Sequence, residues 1–421
     1  MRKISLIGGG QCGLLLGFAL LDKGYSVTLY TDRSAEQVLN SRIPSTAFMF
    51  DSSLAVEREL GLNFWEDLVP YGEGMHVDFR GPDGSIGLTV QGRLGNLKGQ
   101  ALDQRTKFSR WLQEFPRRGG KLVIQAVSVA DLEKIAAESD LTLVAAGKGQ
   151  INAFFARDDA RSEHLAPPRN LAAMLLTGPK LLGDRPWQRV PFRPLRFNFI
   201  AGVGEYFSLP FYTHAHGECR SFLFEAIPGG PMDRFQDAKD GKELLEIARQ
   251  VIAEFAPDDL HHMEGAELTD ADGWLKGAFT PTVRHPIGTL PSGAAVMAIG
   301  DTAVLNDPIA GQGSNNAARM VRHLVARIVA NGSAPFDAAW MDETFNSFWN
   351  ESAMYTTAFT NALLKPPGAP VMEVLGAASV HPPVADAFMR CFDNPRNYWP
   401  WIADLDEARR FVAERVERCA A

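Results

Sequence analysis

Lys3-Ile-Ser-Leu-Ile-Gly-Gly-Gly-Gln-Cys-Gly13 is an apolar run that passes straight into a glycine cluster and then into the apolar stretch Leu14 to Leu21. The run reads as a buried parallel strand and the stretch after it as a helix. Gly8, Gly10 and Gly13 fit the dinucleotide fingerprint, supplying a tight turn, close approach to a pyrophosphate at a helix N-terminus, and close helix–strand packing. A second strand, Ser26 to Tyr30, follows and ends in Thr31-Asp32-Arg33. An acidic residue about twenty positions beyond the glycines suits a ribose. Asp32 stands near that place, with Thr31 in the strand-end position itself.

The partner of this stretch lies near the other end of the chain. Ala294 to Ile299 reads as another buried parallel strand, and Gly300-Asp301 sits at its end, where ligands of open α/β sheets bind. Then comes Asn306-Asp-Pro-Ile-Ala-Gly-Gln-Gly-Ser-Asn-Asn316, which runs into an amphipathic helix with Ala317, Met320, Leu324 and Ile328 on one face. Gly311 and Gly313 allow the backbone to approach a flat ligand, and the helix N-terminus carries partial positive charge toward the same place.

The two motifs together resemble the flavoprotein aromatic hydroxylases and, more closely, the two-component styrene and indole monooxygenases (group E). The matching residues are Gly8, Gly10, Gly13, Gly300, Asp301, Asp307, Pro308, Gly311, Gln312, Gly313 and Asn315. The resemblance implies one FAD held from both ends, with Asp301 on the ribityl chain and Pro308 with Gly311 to Gly313 beside the isoalloxazine. It implies an α/β fold with a Rossmann-type FAD domain of the glutathione-reductase-like kind, a β-sheet substrate domain and a helical C-terminal lobe. The expected boundaries are 1–150 plus 290–335, 151–289 and 336–421.

Further positions follow from the same resemblance. Arg42-Ile-Pro-Ser-Thr-Ala-Phe-Met-Phe50 is similar to the segment lining flavin and substrate, which puts Arg42, Ser45 and Thr46 near the FAD and Ala47 and Met49 nearer the substrate. Ser45, Thr46, Pro308 and Gly311 are the candidate catalytic positions, and Ala47, Met49, Leu209 and Phe211 the candidate substrate contacts. Styrene-epoxidising members usually carry Asn and His where this chain has Ser45 and Met49. Indole-type members have Ser and Met there but favour Gln at the place of Ala47, so the substrate stays open between an aryl alkene and indole. Arg105, at the start of a helix with Phe108, Leu112 and Phe115, matches an arginine that approaches the pyrophosphate, for which the guanidinium fork is suited. With Gly8, Gly10, Gly13, Asp32, Arg42, Gly300, Asp301, Pro308, Gly311, Gln312, Gly313 and Asn315 it completes the expected cofactor set.

Self-sufficient hydroxylases carry Asp-Gly at the strand end where this chain has Ala146-Gly147. The missing acid agrees with relatives in which an NADH-dependent flavin reductase supplies reduced FAD. By the resemblance, that flavin reacts with O2 to a C4a-hydroperoxide, which epoxidises a small apolar aromatic substrate. Leu195, Phe197 and Phe199, then Phe207, Leu209 and Phe211, then Phe222 and Phe224 alternate as strands and give one sheet face many rings; the resemblance implies that this sheet roofs the flavin, where an apolar surface keeps water away. Alternatives are a single-component NAD(P)H-dependent hydroxylase, a flavin dehydrogenase, or a flavin-binding protein without turnover.

Composition bounds these readings. The 421 residues are 46% apolar and carry a net charge of -8 with scattered Lys and Arg, which disfavours nucleic acid and anionic membranes as partners. No apolar run is long enough to cross a bilayer. The start leads directly into a strand with no room for a signal peptide, and four dispersed cysteines lack metal spacing, so a reducing cytoplasm is the expected home. His214-x-His216 and His261-His262 lack a third ligand, and no metal is expected. Hydrolase chemistry is excluded by the lack of a nucleophile-elbow motif. The C-terminal part reads as helices over Phe345 to Leu364, Val371 to Arg390 and Leu405 to Arg418, and the family's habit points to a homodimer.

Overall fold

The computed structural model describes residues 1–146, 150–178 and 190–420. Gly147 to Gly149, from the strand end discussed above, lie outside the described residues, as does the side chain of Cys419.

One sheet has six strands in the spatial order Ile287–Thr289, Ala295–Ala298, Leu141–Val144, Lys3–Ile7, Ser26–Thr31, Lys121–Ile124. All neighbours are parallel except the first pair. Strands such as Leu141–Val144 are buried at every residue, as expected for a sheet covered on both faces. The helix Gln11–Asp22 packs against both Gly313–Ala330 and Gln104–Arg117. Lys3–Ile7 lies between strands reached from opposite directions, so the carboxyl ends of Lys3–Ile7 and Leu141–Val144 open a crevice at a switch point.

The second sheet runs Glu267–Leu268, Asn170–Thr177, Gly217–Ala226, Gly204–Thr213, Pro194–Ile200, Gly74–Arg80, Ile86–Arg93. The antiparallel pair Gly74–Arg80 and Ile86–Arg93, a hairpin around Gly81-Pro-Asp-Gly84 that falls within 1–150, belongs here, because Gly74–Arg80 pairs in parallel with Pro194–Ile200. The first segment of the chain therefore contributes to both sheets. The second sheet is correspondingly not confined to 151–289.

The two faces of this sheet differ in chemistry. Phe197, Phe207, Leu209 and Phe211 share one face and one apolar cluster with Ile309, Phe359 and Phe392. Phe222 and Phe224 do not join them. In the antiparallel register Phe207 is opposite Leu223, so the flanking residues of the Gly217–Ala226 strand point the other way and pack with the helix Gly241–Phe255. That second face also carries a buried polar network. Arg196, at 1% exposure, donates to Asp78 and, at 3.1 Å, to Asp259.

The last part is helical: Ala338–Phe348, Met354–Leu363, Ala369–Ala378, Pro382–Arg390 and Leu405–Ala420. The first starts earlier than its apolar pattern, because Asp337 accepts from Trp340 N at 2.9 Å and caps it. Val371 to Arg390 is two helices, since Pro382 and Pro383 remove backbone donors and start a new one.

Candidate functional site

The first glycine motif folds as a tight turn at the carboxyl end of Lys3–Ile7. Gly8 adopts φ +122°, and its N–H donates to Tyr30 O at 2.8 Å. A β-carbon on Gly13 would lie 2.0 Å from Gly8 O, whereas one on Gly10 would meet nothing within 4 Å. The turn is thus closed on its inner side and open at Gly10. The helix Gln11–Asp22 begins there with no side-chain cap and no acidic residue in its first turn. Its orphan N–H groups and positive end are available to an anion.

The second motif is brought to the same helix. Ile299 N donates to Val144 O at 2.8 Å, and Gly300, at φ +57°, packs so closely that a β-carbon would lie 2.9 Å from Cys12 Cβ. This delivers Asp301 beside the first turn of Gln11–Asp22. The Asp301 side chain is open to solvent, yet desolvation by the surrounding protein raises its carboxyl above the ordinary range. Both follow if it sits at the floor of a cleft. Its carboxylate meets no donor among the described residues, which leaves it free for a polyol.

Beyond it, Asp307 Oδ1 accepts from Ile309 N at 3.1 Å and caps the turn Pro308–Ala310. Gly311 follows at φ +63°, and β-carbons on Gly311 or Gly313 would again meet nothing within 4 Å. The helix Gly313–Ala330 starts here without a side-chain cap. Three glycines in two distant motifs therefore present bare backbone to open space.

Asn315 ties this turn to the segment before residue 50. Its Nδ2 donates to Phe48 O at 2.8 Å and Gly311 O at 2.7 Å, and its Oδ1 accepts from Phe50 N at 2.9 Å. Gln312 is equally internal, donating to Phe392 O at 2.9 Å and accepting from Arg319 at 2.9 Å. Both side chains are fully buried. They position the loop from within, which differs from the direct cofactor contact expected of them.

Other expected residues are also reassigned. Arg105 is buried and spends its guanidinium on Asp103, on both Asp270 oxygens at 2.9 and 2.8 Å, and on Ser41 O, leaving no N–H for a pyrophosphate. Arg42 lies 3.5 Å from Asp272 and stacks over Trp274. Asp32 follows the last strand residue, Thr31, and its exposed carboxylate is 3.7 Å from Arg33. Met49 turns into the core of the six-stranded sheet, while Phe48 and Phe50 face the aromatic cluster with Leu209 and Phe211. Ser45 and Thr46 are half-buried and their hydroxyls bond to no described residue.

Sequence reasoning missed Phe48, Phe50 and Phe392 as members of the aromatic cluster with Leu209 and Phe211, although the Phe48-x-Phe50 alternation is visible in Arg42 to Phe50. It also missed a buried pair beneath the first turn, in which Glu57 accepts from Lys107 at 2.8 Å and from Gln11 at 2.9 Å. Among the described residues no group of three or more His, Cys, Asp or Glu could hold a metal ion, and no helix is long and apolar enough to cross a membrane.

Residues 147–261 match the family described as "Styrene monooxygenase A putative substrate binding domain". Styrene monooxygenase StyA of Pseudomonas fluorescens is 26% identical over 433 residues, covering 100% of both chains, and StyA of another Pseudomonas is 26% identical over 435 residues with the same coverage. Among solved structures, the flavin-dependent brominase Bmp2, as a triple mutant, superposes with a TM-score of 0.64 at 13% identity over 100% of both chains. A flavoprotein/dehydrogenase from Cytophaga hutchinsonii gives 0.64 at 10% identity over 99% of both. 2-Methyl-3-hydroxypyridine-5-carboxylic acid oxygenase gives 0.56 at 14% identity over 99% of this chain and 98% of that one. At these identities the structures speak for the shared fold.

Proposed function

We propose, from the premise that this chain is a styrene monooxygenase family member and a flavin monooxygenase, that it is the oxygenase component of a two-component system. It takes FAD already reduced by a separate NADH-dependent flavin reductase and epoxidises a small apolar aromatic alkene or indole. The observation that carries the reading is the meeting of two distant glycine motifs at the first turn of Gln11–Asp22, where Gly300 packs on Cys12, with open backbone at Gly10, Gly311 and Gly313.

The residues present fit a flavin dinucleotide. The uncapped N-terminus of Gln11–Asp22 and the open side of Gly10 suit a pyrophosphate, and the unpartnered Asp301 suits the ribityl hydroxyls. Pro308, Gly311 and Gly313 border the place for the ring system, with Ser45 and Thr46 as hydroxyl donors of the facing loop. Uncapped backbone N–H groups at the start of Gly313–Ala330 would stabilise negative charge on a ring system held there. When bound and reduced, the flavin supplies activation of O2. The protein's part is to orient the substrate and exclude water, for which Phe48, Phe50, Leu209, Phe211 and Phe392 form the apolar wall, with Ala47 on the loop beside it. Ala146 stands where a nicotinamide-assisting acid would be required, which favours external reduction.

The test is to mix the chain and anaerobically reduced FAD with oxygenated buffer and follow flavin absorbance on a millisecond scale. Return of oxidised flavin slower than for free FAD, hastened by styrene or indole with one atom of labelled O2 entering the product, is the expected result. Reoxidation at the free-flavin rate with no oxygen incorporation would overturn the reading.

A further inference from the structure

Three buried carboxyl groups and one guanidinium meet where the second sheet, the Asp307–Gly311 turn and the C-terminal lobe come together. Glu205 and Glu225 are directly opposed on neighbouring strands. Arg169 pairs with Glu205 through two bonds of 2.8 and 2.9 Å and reaches Leu364 O at 3.3 Å. Asp307, at 2% exposure, is the third carboxyl. Glu225 is wholly buried, and neither of its oxygens receives an N–H or hydroxyl from a described residue. The group facing it is the carboxyl of Asp307.

Charge bookkeeping decides what this contact is. Arg169 compensates Glu205, so an ionised Glu225–Asp307 pair would leave two negative charges side by side without water. Two carboxyls hydrogen-bond only when one of them carries a proton. Asp307 has the Ile309 N–H to stabilise its anion and Glu225 has no donor, so the proton belongs on Glu225. Burial, and then the charges of Asp307 and Glu205, push the Glu225 carboxyl well above the ordinary range.

We propose that Glu225 is a positioning residue: it stays protonated at neutral pH, donates a hydrogen bond to Asp307, and so fixes the Pro308–Gly311 turn against the flavin. The flavin part rests on the function proposed above. The groups facing the pair are Glu205 from the sheet, and Arg169 and His164 from the segment that leads into Asn170–Thr177. A carboxyl whose folded value is raised contributes stability that is complete below its ordinary value of 4.5 and is lost as pH rises toward the folded value. Alkali therefore sets two carboxylates against each other and loosens the turn.

The test uses the full chain, FAD as the titrated ligand, and thermal melts of the ligand-free protein between about pH 6 and about pH 9. Wild-type affinity is expected to fall on the alkaline side by up to about tenfold per pH unit, as the competent fraction falls. Glu225→Gln, which keeps an uncharged donor, should bind FAD as wild type does at low pH and stay flat. Glu225→Ala should bind weakly throughout. Superposed wild-type and Glu225→Gln profiles in binding and melts would overturn the proposal, as would a Glu225→Ala protein that binds FAD like wild type. If no form binds FAD, the flavin reading itself fails, and the melts decide alone. A steeper alkaline loss in wild type than in Glu225→Gln supports the buried proton, and identical slopes refute it.

Discussion

A β-carbon placed on Gly13 would lie 2.0 Å from the carbonyl oxygen of Gly8, so the turn and the helix that follows it are in backbone contact. Gly10, three residues earlier, faces open space instead. Gly13→Ala must displace the turn, and is expected to destabilise the protein by about 1–3 kcal/mol. Gly10→Ala has room, and should cost under about 1 kcal/mol at the helix start while abolishing measurable FAD binding. Melting temperature against FAD affinity for the two variants separates packing from ligand approach; equal losses in both would sink the distinction.

Asn315 is expected to be intolerant in an informative way. Asn315→Leu leaves Phe50 N–H without its acceptor and Phe48 O and Gly311 O without a donor, a loss of about 3 kcal/mol or more in chemical denaturation. Asn315→Asp keeps the acceptor but aims a carboxylate at two carbonyl oxygens. It should therefore be no better than Asn315→Leu above about pH 5 and should recover in part as pH falls and the acid becomes a donor.

Lys107 and Glu57 are exposed by only 5% and 1% and support Gln11, the first residue of the helix Gln11–Asp22. Lys107→Met strands a buried charge and is expected to cost about 3–5 kcal/mol. Adding Glu57→Gln to it removes that charge and should restore most of the loss. A double variant as unstable as the single one would show that the lysine acts by packing.

The parts of this fold that were legible beforehand are those written locally. Gly8, Gly10 and Gly13 encode a turn that works only between a strand and a helix, and Ala294 to Ile299 encodes a strand buried on both faces. What was hidden depends on pairing. The hairpin at Gly81–Gly84 looks the same in sequence whichever sheet it joins, and its transfer to the second sheet is decided by pairing with residues more than a hundred positions away. Phe222 and Phe224 alternate like Phe207 and Leu209, and only the register with Leu223 shows that they face the opposite side. Side chains with polar ends were misjudged for the same reason. Arg105, Gln312 and Asn315 carry groups that suit a cofactor, but their partners Asp270, Phe392 and Phe48 lie far along the chain.

Arg105 offers a direct contrast between the contact expected from the sequence and the one observed. It closes a bridge from Asp103 at 2.7 Å to Asp270 at 2.8 Å, joining the helix Gln104–Arg117 to the loop beyond Glu267–Leu268. Arg105→Met should therefore lower stability, by about 3 kcal/mol or more because it strands the buried Asp103, and leave FAD affinity within a few-fold of wild type. A guanidinium on the pyrophosphate would give the reverse, with affinity lost and stability kept. pH adds an independent reading. Burial works to raise the Asp270 carboxyl, but the hydrogen bonds and charge of Arg105 outweigh it and hold it below its ordinary value of 3.8. A depressed carboxyl contributes stability that is present above that value and is lost as pH falls through the folded one. Wild type should thus lose stability in acid more steeply than Arg105→Met, and parallel acid limbs would show that the bridge does not hold Asp270 in its ionised form.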